Sequence, residues 1–395
     1  MTDATKPLTA APDTATDTTP VAETKPKRAS RRRFLGVAAG AVAGTAAGGI
    51  AMPSVSRAQT TTLRFQSTWP ARDIFHEFAG DYASTVNALS GGRLKLDLLP
   101  AGAVVGALQL QDAIISGALD GGHGVTAYWY GKHKAFSLFG TPPAYGWRAN
   151  HLLGWIKQGG GEQLYNELIQ DVLKLDLVGF LYGPMPTQPL GWFKKPIAAI
   201  DDMKNMKYRT VGLAADLNKE LGVAVTIMGG GDIVPAIDRG LLDGAEFNNP
   251  SSDRALGFTD VAKNYMLGSY HQSAESFEIL FNRKKFNGLP PELQTILRVA
   301  ADAASAQMSW KAMDRYSKDL EAIKAAGVKV QKTPDTVLKA QLEAWKKVVD
   351  TYSAADPFFK KVIDSQMAFA KRVVGFELEY EVQQQMAYDF FFKKA

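Results

Sequence analysis

Two stretches of the chain repeat one pattern: "AIISGALDGG" from Ala113 to Gly122 and "AIDRGLLDGA" from Ala236 to Ala245. Ala113, Ile114, Gly117 and Leu119-Asp120-Gly121 recur as Ala236, Ile237, Gly240 and Leu242-Asp243-Gly244. Each copy reads as a helix, a glycine that stops it and a strand. The first is preceded by "TTLRFQST", an alternating strand, by a helical run with Ile74, Phe75, Phe78, Tyr82, Val86 and Leu89 three and four apart, and by "RLKLDLLP", a second strand. The second follows "AADLNKELG", a helix, "VAVTIM", a strand, and "GGGD", a loop in which Asp232 is expected to cap the next helix. Alternation of this kind builds parallel βαβ units, so the chain is expected to be α/β with two similar lobes. In such sheets ligands sit beyond the carboxyl ends of the strands, which points "HGVTAYWY" and "EFNNP" at a cleft between the lobes. Helix-Gly-Leu-Asp-Gly is also common α/β punctuation, and chance repetition is the plain alternative.

The 395 residues suit about two domains. With no cysteine, disulfides, thiolate nucleophiles and Cys-ligated zinc are excluded. The net charge of +5 invites a nucleic-acid reading, but residues 1–58 hold eight Lys/Arg against four acids, leaving the rest of the chain close to neutral. No basic stripe with interleaved aromatics follows, so no nucleic-acid partner is expected. Residues 1–29 are too poor in apolar side chains to offset the entropy of ordering. "SRRRFLG", a mild Ala/Gly-rich stretch and "SVSRAQ" then read as an export signal cleaved after Ala58, and Gly and Ala make a poor membrane anchor. The Arg-Arg-x-Phe-Leu string resembles a twin-arginine signal, which implies a periplasmic protein from about Gln59.

Templates for P-loop, serine-hydrolase and zinc-protease chemistry are missing, and the five histidines show no ligand spacing. Isolated polar residues framed by aromatics remain. Gln188 stands in "PTQPLGWF", Arg209 in the strand-like "MKYRTVG", and Glu246 at a strand end in "GAEFNNP", beside Phe247 and Asn249. A guanidinium buried between Tyr208 and Val211 needs an anionic partner, either a ligand carboxylate gripped by its planar fork or an internal acid such as Glu246. The terminal helix from about Pro357 carries Phe358, Phe359, Val362, Ile363, Met367, Phe369, Val373 and Phe376, with further aromatics beyond. It is too apolar to lie alone on a surface and is expected to pack along a second subunit.

From Thr61 to about Phe281, and more loosely to the end, the chain resembles the extracytoplasmic solute-binding proteins of TRAP transporters, the DctP-like family. "SGGRLKLDLLPAGAVVG", "QDAIISGALDGGHGVTAYWYGKHKAFSLFG", "QPLGWFKK", "MKYRTVGLAADLNKELGVAV", "GGGDIVPAIDRGLLDGAEF" and "FNRKKF" carry the likeness. Within the family it is similar to the branch that binds 2-oxo acids such as pyruvate. The resemblance implies a two-lobed fold with lobes joined by crossing strands and a long helix. Residues 59–182 with 275–308 would form lobe I, 183–274 with 309–355 lobe II, and 356–395 a dimerising helix. It implies that Arg209 pairs with a substrate carboxylate and that Na⁺ or Ca²⁺ bridges protein and substrate. The implied ion ligands are Gln188, Glu246, the carbonyl of Phe247 and Gln272.

Such hard cations take oxygen ligands, and a 2-oxo or 2-hydroxy acid offers two adjacent oxygens. Trp69, Phe75, Tyr128, Tyr130 and Tyr270 are candidate aromatic walls, each equally at home in a core. The implied partners are a small organic acid, the integral membrane subunits of a TRAP transporter and a second copy of the chain. The branch tends to carry Trp where this chain has Phe247, and an acid where it has Gln272. The first departure enlarges the cavity, admitting a longer 2-oxo acid or a lactate-like hydroxy acid. The second favours Na⁺, unless Glu275 is the approaching acid. A periplasmic enzyme with Glu246 as base and Arg209 as clamp is the competing class.

Overall fold

The structure, a computed structural model, describes residues 60–393. The export signal and its cleavage after Ala58 lie outside them.

Two sheets share the strands. The first has the order β2-β1-β3-β10-β4, with β1 at Thr61–Ser67, β2 at Leu94–Leu99, β3 at Gly121–Gly124, β4 at Leu177–Met185 and β10 at Glu275–Asn282. The second has the order β11-β9-β5-β8-β6-β7. Its strands are β5 at Gly191–Phe193, β6 at Lys207–Arg209, β7 at Ala224–Thr226, β8 at Gly244–Ala245, β9 at Asn264–Leu267 and β11 at Lys329–Lys332. The chain passes between sheets at 186–190, returns at 268–274, and crosses again in the 35-residue helix Pro291–Ala325. Together the sheets give the α/β, two-lobed architecture expected of the sequence.

The repeated words do the same work in each sheet. In both copies the helix ends at a left-handed glycine, Gly117 or Gly240, with φ of 80° and 74°. The next leucine, Leu119 or Leu242, is wholly buried. The aspartate then clamps the neighbouring strand: Asp120 donates its N–H to the Arg64 carbonyl and accepts from Arg64 N–H at 2.8 Å. Asp243 does the same with Lys207, accepting at 3.0 Å. The last glycine lets another strand approach; a Cβ at Gly121 would meet the Leu280 carbonyl at 2.7 Å, and one at Gly244 the Phe193 ring at 2.5 Å. So β3 lies between parallel β1 and antiparallel β10, and β8 between parallel β6 and antiparallel β5.

The terminal segment departs from expectation. The helix Pro357–Tyr380 buries Phe359, Val362, Ile363 and Ala370 within this chain, packing on the helix Ala149–Gln158. The chain then breaks at 381–383, and the short helix Gln384–Phe392 buries nothing. From Phe376 onward the large apolar side chains of this segment are exposed. Asp232 is not a cap either: the helix Gly230–Asp238 starts two residues earlier, with Gly229 at its N-cap.

Candidate functional site

Parallel strands deliver the site residues at their carboxyl ends. Trp69 follows β1, Tyr128 sits in the turn after β3, Arg209 ends β6, and Glu246-Phe247 follow β8. The crossing segments supply the rest: Gln188 lies on the outward passage, and Glu275 opens β10 on the return. The two passages are tied together, with Gln188 N–H donating to the Gln272 carbonyl at 3.1 Å and Thr187 Oγ1 to the Ser273 carbonyl at 2.9 Å. Trp69, Phe75, Val125, Tyr128, Met185, Gln188, Arg209, Val211, Phe247, Asn248 and Glu275 enclose a void of about 20 Å³ between the sheets. That holds about one water and is far below the size of a ligand cavity, so a solute needs the walls to move apart.

Arg209 is buried and almost fully committed. Its Nε and Nη2 grip the Met228 carbonyl at 3.0 and 2.8 Å, and Nη1 donates to the Glu246 carbonyl at 3.2 Å and to Glu246 Oε1 at 2.9 Å. Of five guanidinium N–H groups, one on Nη2 is left. Both of the partners weighed for Arg209 therefore bear on it: the internal acid is present, and a ligand carboxylate would meet a single N–H and the charge rather than a two-pronged fork. Phe247 stands 5.9 Å from the guanidinium, its ring edge-on to Trp69 and tilted against Phe75. Gly230 makes room for that ring, since a Cβ there would lie 2.3 Å from it. The "GGGD" turn thus serves an aromatic wall, not a phosphate.

One carboxylate, Glu275, lines the cavity, and a second, Glu246, is paired to Arg209 on its wall. Burial pushes Glu246 up to about 7, with Arg209 pulling the other way. Glu275 is raised well above the ordinary range, first by burial and then by the charge of Glu246. Asn248 Nδ2 donates to Glu275 Oε1 at 3.1 Å. Gln188 Oε1 and Glu246 Oε2 are buried oxygens with no donor. A buried acceptor without a partner is costly, and an oxygen-seeking cation is one way to satisfy it. No cluster of three His, Cys, Asp or Glu occurs among the described residues, so any ion here would rely on amide and main-chain oxygens beside the carboxylates.

Five residues named from the sequence lie off the cavity wall: Glu246, which meets it through Arg209, and the four that follow. Asn249 caps the helix Pro250–Leu256, accepting from Ser251 and Ser252 N–H at 3.0 and 2.9 Å, and its neighbour Asn248 takes the inward position. Tyr130 donates to Asp216 of the other lobe and stacks under Lys134. Gln272 is buried beside the cavity with Nε2 3.4 Å from the Val211 carbonyl and Oε1 unpartnered, while Glu275 lines the cavity. Tyr270 packs toward Trp345 instead, its carbonyl taking the indole N–H. Asn248, Val125, Met185 and Val211 were not singled out. The Asn-Asn-Pro order was the available signal for the first: Pro at a helix start makes the residue before it the cap.

Residues 65–356 match the family described as bacterial extracellular solute-binding protein, family 7, and the chain belongs to it, among the solute receptors of TRAP transporters. The monocarboxylate 2-oxoacid-binding periplasmic protein of Nostoc sp. (strain PCC 7120) is 29% identical over 359 residues, which span 89% of this chain and 98% of that one. A TRAP transporter solute-binding protein from Bordetella bronchiseptica RB50, a mixed-occupancy dimer with copurified calcium and picolinate, superposes with a TM-score of 0.80. It is 27% identical and covers 84% of this chain and 98% of its own. A TRAP periplasmic solute-binding protein from Pseudoalteromonas atlantica T6c, with bound sodium and pyruvate, gives a TM-score of 0.78 at 28% identity, covering 85% and 100%.

Proposed function

We propose that this chain is the periplasmic receptor of a TRAP transporter for a small monocarboxylate of the 2-oxo acid class, held through a bridging cation and passed to the membrane subunits. The observation that carries the reading is the meeting of one free Arg209 N–H with the unpartnered buried oxygen of Gln188 on the wall of one small void, with the unpartnered oxygen of Glu246 next to it on the acid that Arg209 holds. Gln188, Glu246, the Phe247 carbonyl and Glu275 would hold the ion, Glu275 taking the place first given to Gln272. The cation would join the substrate's carboxylate and 2-oxo oxygens to the protein. Trp69, Phe75, Tyr128 and Phe247 would exclude water and bound the apolar tail. A bound cation would itself favour the ionised forms of Glu246 and Glu275, and with both ionised the formal charges of the two acids, Arg209 and a monocarboxylate sum to −2, which Ca²⁺ cancels and Na⁺ halves. Ligand held between the lobes stabilises their closed arrangement, and no bond is made or broken.

A longer 2-oxo acid, or a 2-hydroxy acid held with Ca²⁺, fits the same chemistry, since Phe247 leaves more room than an indole. Export by the twin-arginine signal with cleavage after Ala58, and a homodimer formed through residues 376–392, belong to the same reading. Sedimentation of the chain with and without residues 383–395 tests the dimer; a monomer in both would refute it. A thermal-shift screen of organic acids in Na⁺, in Ca²⁺ and after chelator treatment tests the ligand, because binding to the folded form raises the midpoint. Two-oxo acids should shift it most with Ca²⁺ present. A shift confined to sugars or amines would reject the reading, and loss of substrate signal in NMR would favour an enzyme.

A further inference from the structure

Off the cavity wall, a buried hydrogen bond between two side chains joins the lobes. Asp73 caps the helix Ile74–Leu89 of the first lobe, its Oδ1 accepting from Phe75 N–H at 3.0 Å. Ser252, in the first turn of the helix Pro250–Leu256 of the second lobe, donates to that same oxygen at 2.6 Å. Both residues are buried, and neither lines the cavity. The direction of the bond is determined. Asn249 Nδ2 donates to Ser252 Oγ at 3.1 Å, so the hydroxyl proton is free to go to the carboxylate. Two helix N-termini, each favouring negative charge, thus converge on one carboxylate. Beside it, Arg72 Nη2 donates to the Leu256 carbonyl at 3.1 Å, a second link from the first lobe to the second.

We propose that Asp73 and Ser252 form a latch between the lobes, so that the closed population, and with it the receptor's affinity and ligand residence time, is set partly by residues the solute never touches. The physical reason is conformational: apparent affinity scales with the fraction of molecules in the competent arrangement. Asn249 is then a positioning residue that orients the serine hydroxyl, which accounts for its place next to the site. Only the binding arm of the test rests on the 2-oxo acid reading; the latch itself is made of the protein's own residues.

The test compares wild type, Ser252→Ala, and Asp73→Asn, which keeps the accepting oxygen. Ligand-free, chelator-treated protein is measured by small-angle scattering, and pyruvate binding with Ca²⁺ by stopped flow. Ser252→Ala should enlarge the ligand-free radius of gyration and weaken pyruvate roughly tenfold, mainly through faster dissociation. Asp73→Asn should stay within about threefold of wild type. Ser252→Ala with a lower melting midpoint but unchanged scattering and unchanged dissociation rate would make the bond merely structural and overturn the latch. If wild type ignores pyruvate yet scattering separates the variants, the latch stands and the ligand assignment fails.

Discussion

Arg209→Met separates the two roles that converge on this guanidinium. The substitution keeps most of the side-chain volume but removes the partner of Glu246 Oε1 at 2.9 Å and the double contact with the Met228 carbonyl. Breaking a buried pair by deleting one member costs about 3–5 kcal/mol, because the other charge is left without compensation. The ligand loses one charge-assisted hydrogen bond, about 1.5–3 kcal/mol, or roughly ten- to 150-fold in Kd. Adding Glu246→Gln should return much of the stability, since no uncompensated carboxylate remains, and should leave the affinity low because an ion ligand is lost as well. Urea unfolding of the chelator-treated proteins gives the first quantity and calorimetric titration with pyruvate the second. If Arg209→Met binds pyruvate as tightly as wild type, Arg209 is an internal ion-pair member only. If the double variant is no more stable than the single one, Glu246 is not the group left stranded.

Gly230→Ala puts a methyl group against the Phe247 ring, and the overpacking should cost about 1–3 kcal/mol and push that ring into the cavity; a lower thermal midpoint with weaker pyruvate binding is expected, and an unchanged midpoint would contradict the contact. Glu278, buried and accepting from Trp129 Nε1 and Tyr165 Oη, is raised by burial from 4.5 to about 7. A raised acid binds its proton more tightly when folded, so its stabilising contribution is complete below about pH 4.5 and lost as pH rises through 7, roughly 3 kcal/mol in all. Glu246 and Glu275 are raised in the same way, so denaturant midpoints between pH 4.5 and 8 should fall in both wild type and Glu278→Gln, less steeply in the variant by about that amount.

The two-lobed plan was legible because its signals are local: period-two strands, three-and-four helices, and glycines that must leave the ordinary backbone regions at 117 and 240. Arg209, Glu246 and Gln188 were legible as isolated polar residues in apolar runs, where burial demands a partner. What escaped lay in segments without a period. Between Gly268 and Ala274 the chain crosses between lobes, so neither strand nor helix spacing says whether Gln272 or Glu275 turns inward. Asn248 and Asn249 differ by one position, and the helix start at Pro250 decides between them. Tyr130 was set by Asp216, 86 residues away. The terminal helix was legible as apolar, but not how its face is divided, its first half finding cover on this chain's own helix Ala149–Gln158.

The most direct measurement is calorimetric titration of pyruvate into chelator-treated protein, repeated in Na⁺ alone and in Ca²⁺. One molecule per chain should bind tightly with Ca²⁺, more weakly with Na⁺, and detectably with neither only at high concentration. Affinity equal in all three conditions would contradict a cation shared by Gln188, Glu246 and the solute.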